Sequence, residues 1–142
     1  MKITQLSLFL ENQAGALNSV CQVLQKANIN IRTLSLADTQ QFGILRLLIK
    51  EWEQAKLLLE HAGFVVNVTE VLALKVEDRP GGLADILKAL NVHNVNVEYM
   101  YAFAFGMQNS AIIVFRFENP DKALEALEKE KIDIVKAIDL FK

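Results

Sequence analysis

Two short segments carry the residue types that recognition of an amino acid would need. Asn12-Gln13-Ala14-Gly15-Ala16-Leu17 and Asp78-Arg79-Pro80-Gly81-Gly82-Leu83 each place a side-chain oxygen three residues ahead of a glycine, where an alternating apolar pattern gives way to a helical one. The free N–H groups and positive dipole end of a starting helix attract a carboxylate. Glycine lets a backbone approach a ligand closely. An Asn or Asp oxygen accepts from an ammonium group. An α-amino acid has both groups on neighbouring atoms. Read as structure alone, the same residues stabilise a turn, start a helix and permit close packing.

The two segments are 66 residues apart, and the match extends well beyond them. Leu17, Val20, Cys21 and Leu24 recur as Leu83, Ile86, Leu87 and Leu90, and Asn28-Ile29-Asn30-Ile31 returns as Asn94-Val95-Asn96-Val97. A repeat of this length means two copies of one folding unit, residues 1–70 and 71–142. Asn30 and Asn96 fall early in a strand pattern, where asparagine is disfavoured. That recurrence marks them as further binding candidates.

Each copy spells strand, helix, strand, strand, helix, strand. In the first, residues 3–10 alternate as a strand, and Leu17, Val20, Cys21 and Leu24 form one face of a helix that Asn28 ends. Strands over 29–37 and 44–49 flank a turn at 38–41. A helix marked by Trp52, Ala55, Leu59 and Ala62 stops at Gly63, and 64–68 closes the unit. The second copy repeats this with strands at 72–76, 95–103, 111–117 and 134–140, a loop at 106–110, and a helix begun by Pro120. Past Arg46 the spacing drifts to 67 or 68, which places small length changes in the strand 2–3 loop and after helix 2. The expected architecture is α+β: two ferredoxin-like βαββαβ units side by side, in an eight-stranded antiparallel sheet with four helices on one face. Units of about 70 residues bury marginal cores alone, so a shared core is expected.

Composition narrows the function. With 142 residues, 52% of them hydrophobic and 23% charged, the chain can build a core. A net charge of −2 gives no electrostatic footprint for nucleic acid, and no apolar run approaches a membrane span. One cysteine and no signal-peptide pattern fit a cytoplasmic protein. His61 and His93 do not match in the repeat and have no ligand-spaced partners, so no metal is expected. Cys21 reads as a core side chain. The stripe Tyr99, Tyr101, Phe103 and Phe105 reads as core or subunit interface. No nucleophile–base set or phosphate-gripping glycine loop occurs, so neither enzyme activity nor a cofactor is expected.

Glu77-Asp78-Arg79-Pro80-Gly81-Gly82-Leu83, with the later Asn94-Val95-Asn96-Val97, resembles the ACT domain, a ligand-binding module of amino-acid metabolism, and the resemblance spans the chain twice. It implies a regulatory protein that binds an amino acid where two ACT units pair. In serine-binding members, an Asn in the turn and an Asn starting strand 2 of the neighbouring unit hold the ligand. Those positions correspond to Asn12 or Asp78, and to Asn30 or Asn96. The first turn lacks the Arg-Pro pair, and the second offers Asp in place of Asn. With no effector domain in the sequence, the expectation is a homodimer acting in trans on a metabolic enzyme or regulator. The alternatives are a small enzyme acting on an acyl or carbamoyl phosphate through Arg79 with Asn96, or a dimerisation module without ligand.

Overall fold

The alternation of Leu6, Leu8 and Leu10 puts three leucines on one side of a strand, and the spacing of Val20 and Leu24 puts their side chains on one side of a helix. In the computed structural model these faces meet. The structure describes residues 1–38, 40–107 and 109–142, the side chains of 38 and 104–107 excepted. Its elements are β1 (Ile3–Glu11), α1 (Ala16–Lys26), β2 (Thr33–Asp38), β3 (Phe42–Leu48), α2 (Trp52–His61), β4 (Val66–Glu77), α3 (Gly82–Val92), β5 (Val97–Met107), β6 (Ser110–Phe117), α4 (Pro120–Lys129), β7 (Ile134–Val135) and α5 (Ala137–Leu140).

The chain divides into two compact units: Thr4–Thr69 with Phe141, and Glu70–Leu140 with Met1–Ile3 and Lys142. In the first, strands run in the order β2-β3-β1-β4, and β3 is antiparallel to both neighbours. Leu6, Leu8 and Leu10 of β1, with Leu45 and Leu47 of β3, pack against Val20 and Leu24 of α1 and Ala55 and Leu59 of α2. In the second, the order is β4-β6-β5, with the short β7 on β4. There Leu72, Leu74 and Val76 of β4, with Ile113, Phe115 and Phe117 of β6, meet Ile86 and Leu90 of α3 and Ala123 and Leu127 of α4. Full burial of such a side chain contributes roughly 1.5–3 kcal/mol. Each unit thus has its own core cluster, where the sequence suggested a common one.

Three expectations need correction. Seven strands form among the described residues, because the segments expected at 64–68 and 72–76 are one continuous strand, β4. No glycine, proline or turn pair interrupts residues 66–77, so nothing breaks the extended backbone. The strand expected at 134–140 shrinks to two residues followed by the four-residue α5, which leaves Ile138 exposed and Leu140 buried. That makes five helices among the described residues where four were expected. Cys21 is only half-buried, and its counterpart Leu87 is 37% exposed. The interior stripes of α1 and α3 are Val20 with Leu24 and Ile86 with Leu90.

Candidate functional site

The repeat in sequence becomes a repeat in hydrogen bonds. The Asn12 N–H donates to the Gln41 carbonyl at 2.9 Å, and the Asp78 N–H donates to that of Asn109 at 2.8 Å. Gln13 and Arg79 turn back onto the carbonyls of Glu11 and Glu77, at 2.9 and 3.0 Å. Ser19 and Asp85 then donate N–H bonds to Gly15 and Gly81 and start the helices. Gly15 and Gly81 are the N-cap residues of α1 and α3, at φ 90° and 86°, and no side chain caps either helix. That left-handed conformation is strained for L-residues with a Cβ, which is why glycine recurs there. No acidic side chain stands in the first turn of α1, whose positive dipole end can attract an anion, whereas Asp85 already stands in the first turn of α3.

Gly82 does something different. A Cβ built on it would stand 2.0 Å from the Glu77 carbonyl oxygen, so this glycine lets helix and strand backbones touch. Its role is packing, the structural reading of the turn.

Asn12 and Asp78 are exposed at the turns, as are Gln13, Ala14, Gly15, Arg79, Pro80 and Gly81. Ala16, Leu17 and Leu83 are half-buried, and Gly82 is buried. Asn12 and Gln13 line a small crevice of about 70 Å³ with Leu36 and Gly43. Arg79 is held down on its own turn. It donates through Nε to Glu77, through Nη2 to Asp85 at 2.7 Å, and through Nη1 to the Pro80 carbonyl at 3.1 Å. Hydrogen bonds to Asp85 and then Glu77 raise its pKa further above the ordinary guanidinium range. The first turn, with Gln13 and Ser19 at these positions, has no such ion cluster. Glu77 has the i, i+2 spacing of a strand pair, but the turn between it and Arg79 hid the contact, and the six-residue spacing of Asp85 follows neither period.

Asn30 and Asn96 lie just before their strands rather than inside them. Asn28 and Asn94, at φ 56° and 55°, turn the chain out of each helix, and Ile29 and Val95 still donate to Leu24 and Leu90. Extended pairing therefore begins only at Thr33 and Val97. Asn96 donates to Glu118 at 3.4 Å and lines an open cavity of about 570 Å³ with Asn119 and Lys122. Within each unit, turn and asparagine sit at opposite ends of one helix. The helix between Asn12 and Asn30, like that between Asp78 and Asn96, has eleven residues and is roughly 16 Å long. The same separation takes Arg79 away from Asn96, so that pair forms no catalytic arrangement within the unit. His93 bonds Glu130 at 2.8 Å, and the described residues contain no group of side chains that could hold a metal ion. Tyr99 and Tyr101 are half-buried and Phe103 is buried; the side chain of Phe105 lies outside the described residues. No helix among the described residues is long and apolar enough to cross a membrane.

Doubled βαββαβ order, glycine-started first helices and a packed helical face define an ACT-type fold. The ACT domain pair family matches residues 1–142, and the chain belongs to it. Among solved structures it is similar to protein BT0572 from Bacteroides thetaiotaomicron, at 41% identity and a TM-score of 0.92, over 100% of this chain and 97% of that one. The regulatory subunits of aspartate kinase from Thermus thermophilus and Thermus flavus share the fold. The first is 16% identical with a TM-score of 0.64, over 89% of this chain and 91% of that one. The second is 18% identical with a TM-score of 0.62, over 89% and 90%. A search among curated proteins finds no match.

Proposed function

We propose that this protein senses an amino acid and reports it in trans to a metabolic enzyme or regulator, as a homodimer in the cytoplasm. The observation that carries this is the pair of uncapped helix starts, each beside an exposed Asn or Asp. The ligand's carboxylate is held by the helix N–H groups behind Gly15 or Gly81, and its ammonium by Asn12 or Asp78. Each unit is half a site. Asn96 completes the site begun at Asn12, and Asn30 the one begun at Asp78, the asparagine coming from a side-by-side neighbouring unit. The distance between turn and asparagine within one unit supports this division of labour. The regulatory subunits named above lend it support from their fold. The protein supplies binding, not chemistry, and needs no cofactor.

A thermal-shift screen of the common amino acids tests this directly. A ligand at 100 times its dissociation constant stabilises the folded state by about 2.7 kcal/mol. A raised midpoint with one amino acid or a related set is expected. A flat screen at millimolar concentrations overturns the reading.

A further inference from the structure

Beside each turn lies a groove, and the two grooves are built from matching positions. In the first unit Phe9, Glu11, Gln13, Phe42 and Val65 line a space of about 420 Å³. In the second, Lys75, Glu77, Arg79, Ser110 and Asp133 line one of about 380 Å³. Strand register confirms the equivalence: Glu11 pairs with Phe42, and Glu77 with Ser110. Duplication therefore kept the cavity and changed its lining. The second groove is polar, with Arg79 already bound to Glu77 and Asp85. The first exposes three apolar side chains together: Phe9 at 54%, Phe42 at 48% and Val65 at 65%. An exposed apolar cluster with a polar rim marks a binding surface. Its volume suits a small molecule, and among the described residues its sole charged lining residue is Glu11.

We propose that the first groove binds a small organic cation with an apolar body, an ammonium compound such as an apolar amino acid or its amine. The apolar body lies against Phe9, Phe42 and Val65, and the ammonium group meets the Glu11 carboxylate. Phenylalanine faces add cation–π attraction. The second groove, with Lys75 in place of Phe9 and Glu77 already paired with Arg79, does not take this ligand. This site adjoins the first turn and shares Gln13 and Ala16 with it, but it rests on the lining of the groove and not on the amino-acid reading above.

The test is calorimetric titration of the full chain with phenethylamine, L-phenylalanine and 3-phenylpropionate. Phenethylamine should bind, and 3-phenylpropionate, which lacks the ammonium, should not. L-phenylalanine binding alongside phenethylamine identifies the amino acid as a source of this chemistry; phenethylamine alone identifies an amine. Phe9→Lys and Phe42→Ser install the second unit's residues, and Glu11→Gln removes the charge. Each should weaken phenethylamine at least tenfold, with Ser110→Ala as an unchanged control and circular dichroism confirming the fold. Because Phe9 is half exposed, its replacement leaves the core intact. Three results would overturn the proposal: no binding by either ammonium probe, binding indifferent to all three variants, or a dimer dissociated by Phe9→Lys without probe binding. Loss of L-phenylalanine in Asn12→Ala but not in Phe9→Lys places that ligand at the turn. The turn reading then survives and the groove proposal fails.

Discussion

At the scale of single residues, the adjacent glycines of the second turn have different duties. Gly81 is needed for its positive φ of 86°, Gly82 for the space against the Glu77 carbonyl. Gly81→Ala should cost about 1–2 kcal/mol, the penalty of a left-handed L-residue. Gly82→Val should cost about 3 kcal/mol or more, because backbone must move to admit the side chain. Urea unfolding of both variants checks the order, and equal costs would contradict the packing role. Loss of ligand binding in Gly82→Val therefore says nothing about contact with a ligand. Gly81→Ala is the informative variant for that question.

At the scale of elements, α4 differs from α1, α2 and α3 in having a side-chain cap. Asn119 Oδ1 accepts from the Lys122 N–H at 3.1 Å, and Pro120 follows in the first turn. Asn119→Ala should destabilise the second unit by about 1 kcal/mol, read as a lowered unfolding midpoint. The turns before α1 and α3 lack such a cap. An added sulfate or carboxylate anion should therefore stabilise the protein by occupying those helix starts. Equal stabilisation by sulfate of Gly15→Ala, Gly81→Ala and the parent chain would show that the anion acts elsewhere.

At the scale of the whole molecule, β4 is the element that both units need. Its residues Val71, Leu72, Ala73 and Leu74 are all buried, so the strand is covered on both faces. Residues 1–70 or 71–142 expressed alone would end or begin in the middle of it. Neither should unfold cooperatively, and a sharp thermal transition in either fragment would contradict this. The shared-site proposal is also tested at this scale. Asn12→Ala and Asn96→Ala should each cost about 1.5–3 kcal/mol of ligand affinity. The double variant should lose less than the sum, since both contact one ligand. Additivity for this pair, with coupling between Asn12 and Asn30, would mean that each unit binds alone.

Much of the fold was legible because its signals are local. Leu6, Leu8 and Leu10 announce a strand by period, Val20 and Leu24 a helix, and Asn28 and Gly63 their exits. The 66-residue repeat then determined that both halves share one order of elements up to their last strand, which in the second half shrinks to Ile134–Val135. The Gly15 and Gly81 turns were legible as turns, and Asn12 and Asp78 as their exposed oxygens. Cys21 and Leu87 share the apolar spacing of a core stripe, yet only packing decides which side of the stripe is covered. The fusion of two strands into β4 depends on neighbours β1 and β6, which no window of residues contains. Glu77 and Asp85 reach Arg79 through the fold of a turn, and Phe9, Phe42 and Val65 gather from three separate segments. Periodicity reports the backbone of one element; exposure and partnership belong to the elements together, and only the tertiary structure decided those.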